Sequence, residues 1–244
     1  MQNIHSEIIG ADGKQYDGEQ AIISLTSWKA RITAVGLTLF SLISNCPGFH
    51  IVLVLSTDEF PNKMLEMPDD IILLAKSKKI EILWVKDNYK SFKKVLFTMN
   101  KYRDIPIISA DDDLIYCKNY AKLLYNKWKE MPTSCIGLSS SFYVYKQNIY
   151  DAELWGYAQL FPPHFVSYID FSIVDVMRKL ECIDDDGFYT EIRRKYHINA
   201  FSFRLPFNNK YIAMNPNATQ SNCITDQRKQ HSQNDKDIYK KLLR

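Results

Sequence analysis

The sequence predicts an α/β fold, with a mostly parallel central sheet flanked by helices and a C-terminal half that closes over it. Two observations carry this expectation. Between residues 21 and 128, short β-rich apolar runs alternate with segments of helical periodicity, joined by short connections. No linker, internal repeat or low-complexity stretch interrupts the 244 residues, so the chain reads as a single domain.

The polar residues 1–20, with Gly10, Gly13 and Gly18, read as a loose or hairpin-like lead-in. Ala21–Thr26 is a first strand, and a helix over roughly 33–44 is stopped by Asn45-Cys46-Pro47-Gly48. Ile51-Val52-Leu53-Val54-Leu55 is a continuous run of the kind buried on both faces of a sheet. A loop over 56–68 and a short helix over 69–78 lead to a third strand, Ile80–Val85. Phe92, Val95, Leu96, Met99 and Tyr102 then recur at helical spacing, with Lys93, Lys94 and Lys101 on other faces. The fourth strand is Pro106–Ala110, and Tyr120, Leu123, Leu124 and Trp128 mark the next helix. In the second half, 136–145 reads as extended and 155–163 as an aromatic loop. Helices are predicted over 168–180 and 186–197, ahead of a polar tail.

Composition narrows the class. With 46% hydrophobic and 24% charged residues the chain can bury a full core. A net charge of +3 gives no support for a nucleic-acid partner. Seven basic and three acidic residues lie from Lys210 onward, so that stretch is +4 and the remainder −1. A basic tail of this kind suits a diphosphate or peripheral contact with an anionic membrane surface, and equally a solvated end. The five cysteines, Cys46, Cys117, Cys135, Cys182 and Cys223, contain no C-x-x-C pair and suggest neither a disulfide framework nor a zinc site. The start shows no signal-peptide pattern, and no apolar run nears the roughly 18 residues of a spanning helix. The expectation is a soluble, cytoplasmic protein, with any membrane contact on the inner face through the basic tail.

The chemistry concentrates at Asp111-Asp112-Asp113, directly after the fourth strand. Open α/β sheets bind ligands at the carboxyl ends of their strands. Three adjacent carboxylates repel one another, and a hard divalent cation such as Mg²⁺ or Mn²⁺ is a natural counter-charge. Strand alternation would turn Asp111 and Asp113 to one side and Asp112 to the other. The competing reading is a solvated acidic turn. A second triplet, Asp184-Asp185-Asp186, opens a predicted helix, where capping alone could explain it. Two clusters suggest a division of labour, one holding a metal diphosphate and the other taking a proton from a hydroxyl. Thr26-Ser27-Trp28-Lys29-Ala30-Arg31 and Asp87 lie at equivalent strand ends, with Lys93 and Lys94 beyond. Those two lysines fit a solvated helix face as well as a ligand site. His231 is a lone candidate metal ligand, and neither a G-x-G-x-x-G nor a Walker A loop is present.

Together these residues resemble a family of bacterial nucleotide-sugar glycosyltransferases of the GT-A fold, involved in capsule and lipopolysaccharide assembly. The resemblance runs from about residue 20 to 190, through Ile23–Ile32, Leu55–Pro61, Ser109–Tyr116, Leu160–Pro163 and Cys182–Asp186. It implies a GT-A-like, Rossmann-like sheet, with about 20–130 binding the nucleotide sugar and about 131–244 serving the acceptor. It also implies a UDP-sugar donor and Mn²⁺ or Mg²⁺ on a D-x-D motif, with Asp113 the main metal ligand and Asp111 on the ribose or metal side. Thr26, Ser27, Arg31, Asp87, Lys94 and Asp112 would line the donor side. Asp185 or Asp186 would be the general base of an inverting transfer to a glycan or lipid-linked glycan hydroxyl. Two positions depart from the family pattern. Ala158-Gln159 stand where glycines are common, and Gly187 follows the acidic pair where a bulkier apolar residue is usual. The rival readings are a metal-dependent nucleotidyl- or phosphotransferase and a non-catalytic nucleotide-sugar-binding module.

Overall fold

The structure, a computed structural model, describes residues 7–139, 154, 157–182, 184–204, 212–219 and 234–243. The first half runs β1 (Ile8–Gly13), β2 (Ile22–Thr26), α1 (Val35–Asn45), β3 (His50–Ser56), α2 (Asp69–Lys76), β4 (Glu81–Val85), α3 (Lys93–Lys101), β5 (Ile107–Ser109), β6 (Leu114–Tyr116) and α4 (Tyr120–Glu130). The second adds β7 (Cys135–Ser139), β8 (Gln159–Phe161), α5 (Phe171–Lys179), α6 (Asp185–Lys195), β9 (Ala200–Arg204) and β10 (Ile212–Met214). A last helical segment covers 234–242.

Eight strands form one sheet in the order β1-β4-β3-β2-β5-β8-β7-β9. Its centre, β4-β3-β2-β5, is parallel throughout. Every residue of β3 is buried, which is why its sequence is a continuous apolar run rather than an alternating one. Alternation survives as a choice between two cores. Ile51, Leu53 and Leu55 pack with Val35, Leu39 and Leu42 of α1, Ile71 and Leu74 of α2, and Leu124 of α4. Val52 and Val54 face Val95, Leu96 and Met99 of α3, with Val174 of α5, Phe188 and Ile192 of α6, and Tyr239 and Leu243 at the chain's end. Burying each such side chain fully contributes about 1.5–3 kcal/mol. The α/β expectation holds, and the four predicted strands and four predicted helices of the first half are all present.

Four features depart from the sequence reading. In the described part of the lead-in, residues 7–20, β1 lies antiparallel on β4 as an edge strand instead of forming a hairpin, with its register broken between Ile8 and Gly10. Gly13, at φ +90°, ends it where a Cβ would collide with the Ile80 carbonyl. The aromatic stretch before Pro162 contains β8, paired antiparallel to both β5 and β7. Ser109 Oγ extends that ladder, donating to the Gln159 carbonyl and accepting from its N–H, both at 3.1 Å. Just ahead of the polar tail, where the sequence reading placed no element, β10 pairs with β6. Finally, Lys93 and Lys94 are buried rather than solvated, at 1% and 8% exposure, because α3 is covered by α5 and α6 as well as by the sheet. Among the described residues no helix is long and apolar enough to cross a membrane, and Cys46, Cys117, Cys135 and Cys182 are free thiols.

A buried polar cluster closes the sheet edge at the start of β3 and β4. Glu81, 1% exposed, lies 2.8 Å from His50 Nε2 and accepts from Lys101 Nζ at 2.7 Å and Tyr102 Oη at 2.6 Å. Burial pushes the Glu81 carboxyl up, but the hydrogen bonds from His50, Lys101 and Tyr102 outweigh it and hold the group below its ordinary 4.5. The unfolded chain therefore binds the Glu81 proton first as pH falls, so this contribution is full above pH 4.5 and is lost as pH drops through the lower folded value. Urea unfolding at pH 7 and pH 4 should show a smaller loss of stability for Glu81→Gln than for the wild type. An identical loss in both would contradict this role.

Candidate active site

The parallel strands β2 and β5 end side by side, and the loops that follow them carry Ser27, Arg31 and the first acidic triplet. Asp112 turns inward and is 7% exposed. It accepts from Ser27 Oγ at 2.6 Å and from Arg31 Nη1 at 2.8 Å. Its main-chain carbonyl accepts from Thr38 Oγ1 at 2.9 Å, tying the turn to α1. Burial raises the Asp112 pKa, and Arg31 and Ser27 pull it only part of the way back.

Asp111 and Asp113 are more exposed, their side chains at 34% and 17%, but the three residues form a turn rather than a strand, so the expected alternation does not hold and Asp113 shares the Arg31 guanidinium with Asp112. Asp113 meets Arg31 Nη1 at 3.0 Å and Asp111 meets Lys94 Nζ at 2.6 Å. The N–H of Asp111 donates to Tyr116 Oη at 2.7 Å, which anchors the turn from below. The counter-charges that the triplet demands are thus supplied within the chain, by Arg31 from the β2 loop and Lys94 from α3.

Lys94 reaches further. Its ammonium is also 3.7 Å from Asp185 Oδ2, in the first turn of α6, and Asp185 is 2% exposed. Burial alone would lower the Lys94 pKa, but Asp111, Asp185 and Asp186 outweigh it and raise the pKa well above the ordinary lysine value. One buried cation therefore joins the two acidic clusters. Asp184 caps α6 by accepting from the Gly187 N–H at 3.1 Å, so the capping reading holds for the first residue of that triplet. Asp186 is half-buried beside it.

The structure accordingly brings Ser27, Arg31, Asp112 and Asp113 into one cluster and Asp111, Lys94 and Asp185 into a second, the two adjoining through the Asp111–Asp112 backbone. Thr26 lies at the same sheet edge, but its Oγ1 donates to the Val54 carbonyl at 2.8 Å and ties β2 to β3. Asp87, beyond β4, pairs with Arg178 Nη2 of α5 at 3.0 Å. His231 lies outside the described residues.

Two participants, Asn215 and Thr219, escaped the sequence reading, and a third, Lys93, was weighed there as a solvated helix face as well as a ligand-site residue. Lys93 is buried at the end of β3, 2.5 Å from Glu59 and 3.4 Å from Ser56 Oγ, and burial outweighs Glu59 in lowering its pKa. The available signal was Phe97, which sets a large apolar side chain off the Phe92, Val95, Leu96 and Met99 stripe and so asks for cover on a second side of α3. Asn215 donates its N–H to the Asp113 carbonyl at 2.7 Å and its Nδ2 to the Ala34 carbonyl at 2.9 Å. The Thr219 carbonyl accepts from Arg31 Nε at 2.9 Å. No periodicity places these late, polar residues on the triplet.

Among the described residues, no three His, Cys, Asp or Glu side chains are grouped to hold a metal ion by themselves. Asp111 and Asp113 nevertheless offer partly exposed carboxylate oxygens at a strand end. That donor set fits Mg²⁺ or Mn²⁺, which are commonly held by one or two carboxylates with substrate phosphates completing the shell.

No protein-family model and no curated protein sequence matches the chain. Solved structures do. TarS of S. aureus is 10% identical with a TM-score of 0.52, over 80% of this chain and 36% of TarS. The mannosyltransferase PcManGT of Pyrobaculum calidifontis, solved with GDP-Man and Mn²⁺, is 10% identical with a TM-score of 0.51, over 84% of this chain and 61% of its own. The chain thus spans less than two thirds of the length of either. Both are glycosyltransferases, and at this identity the likeness is one of fold.

Removing the Asp112 carboxylate leaves Arg31 and Ser27 facing a void with a buried charge. Asp112→Ala should therefore cost about 3–5 kcal/mol in urea unfolding, as for other broken buried pairs. A loss below about 1 kcal/mol would mean that Arg31 finds full compensation at Asp113.

Proposed function

We propose, from the premise that the chain has the fold of glycosyltransferases, that it moves a sugar from a nucleotide-sugar donor to a hydroxyl of a glycan or lipid-linked glycan. The proposed setting is bacterial surface polysaccharide synthesis. The observation that supports this reading best is Lys94, buried between Asp111 and Asp185. It sets a donor-side carboxylate cluster beside a second carboxylate able to serve an acceptor, at the strand ends where α/β sheets take ligands.

In this reading the donor diphosphate lies over Asp111 and Asp113, with Arg31 holding Asp113 in place. These two carboxylates would hold Mn²⁺ or Mg²⁺, which supplies neutralisation of the charge that develops on the leaving diphosphate. Ser27 and Asp112 act beneath them, keeping Arg31 fixed. Asp185 accepts the proton of the acceptor hydroxyl as its oxygen bonds to the anomeric carbon. The sugar–phosphate bond breaks, and the nucleoside diphosphate leaves. Asp185 is tested before Asp186 because its carboxylate lies 3.7 Å from Lys94 and so beside Asp111, while Asp186 follows it, half-buried, as the alternative base. A UDP-sugar is the first donor to test and GDP-mannose the second.

Thermal shift with each donor, with and without Mn²⁺, reads binding directly, since a ligand at about 100 times its Kd stabilises by about 2.7 kcal/mol. Asp113→Ala should abolish the Mn²⁺-dependent part of donor binding; unchanged Mn²⁺-dependent affinity would sink the metal assignment. Asp185→Asn should keep donor binding while transfer falls by about 10²–10⁴-fold. Full transfer by that variant would remove Asp185 from the base role. Release of pyrophosphate instead of nucleoside diphosphate would make the protein a nucleotidyltransferase.

A further inference from the structure

We infer that Tyr239, in the helical segment at 234–242, is a positioning residue for transfer: it holds the cap of α6 and thereby sets where Asp185 stands. The inference rests on the proposed role of Asp185.

Both carboxylate oxygens of Asp184 are engaged. Oδ1 accepts from the Gly187 N–H at 3.1 Å, and Oδ2 accepts from Tyr239 Oη at 3.1 Å. The first bond closes the opening turn of α6, and the second fastens that turn to a segment about fifty residues later. Tyr239 is 2% exposed, so its hydroxyl donates from within the core. Burial raises its pKa first, and Asp184 raises it further, which keeps the phenol protonated.

Gly187 is the independent witness. A Cβ there would fall inside contact distance of both Asp184 Oδ2 and Tyr239 Oη. A side chain at 187 would therefore wedge carboxylate and phenol apart, and glycine, ordinarily a poor helix residue, is the one that lets them meet. Asp185 follows the cap directly, so a shift of the turn moves its carboxylate relative to Lys94 and Asp111.

The same segment is also held at the far end of α6, where Lys195 Nζ donates to the Leu243 carbonyl at 2.6 Å. The two attachments lie about 16 Å apart along the helix. A role in packing alone would make them equivalent, and a positioning role would not.

Tyr239→Phe keeps the ring and removes the hydroxyl. It should lower kcat at least tenfold while donor Kd stays within twofold and Tm within a few degrees. Lys195→Met should leave kcat within twofold. Gly187→Ala should reproduce the Tyr239→Phe signature; if it does not fold, Tyr239→Phe and Lys195→Met still decide the matter. Wild-type kcat in Tyr239→Phe overturns the inference, and so does an equal loss in Tyr239→Phe and Lys195→Met. Absence of transfer by the wild type across the donor and acceptor panel instead overturns the glycosyltransferase reading, and this inference with it.

Discussion

Three carboxylates in succession at the mouth of a sheet repel one another strongly, and much of this molecule is arranged to answer that repulsion. Two buried cations do so from different directions. Arg31 comes from the loop after β2 and meets Asp112 and Asp113, while Lys94 comes from α3 and meets Asp111. Neither cation could be placed there without the parallel pairing of β2 and β5, or without α3 pressed between the sheet and α5–α6. A buried ion pair is weak evidence for stability, because desolvation offsets most of the attraction. Its value is geometric: the middle aspartate is held inward, and the outer two keep partly exposed carboxylates.

The same cations organise the second half of the chain. Lys94 reaches Asp185, so the start of α6 is drawn to the first acidic triplet. Arg31 reaches the Thr219 carbonyl, and Asn215 bonds the Asp113 carbonyl, so the strand β10 and the turn after it lie against the triplet. The polar, basic tail is in these places a structural part of the site. Tyr239 adds a further tie, from the core to the cap of α6.

Several elements were legible because local rules decide them. The continuous run of β3 needs two apolar cores, and the cap and first-turn carboxylates of α6 need only a helix start. Others were misread because the deciding contact is distant. The stretch before Pro162 reads as a loop, yet three buried residues pair on both sides and Ser109 completes the ladder. Lys93 and Lys94 read as a solvated face because a helical wheel does not show what covers the second side of α3.

By itself, then, the sequence determined the α/β alternation, the location of the acidic clusters and the expectation that they act together, since periodicity and like-charge adjacency are local properties of a chain. Tertiary structure alone decided which carboxylate is structural and which are presented, and that Arg31 and Lys94 are the counter-charges. It also decided that Gly187 is small to admit Tyr239. Those outcomes depend on distances between residues tens of positions apart, which are set by packing and carry no signature in the order of the residues.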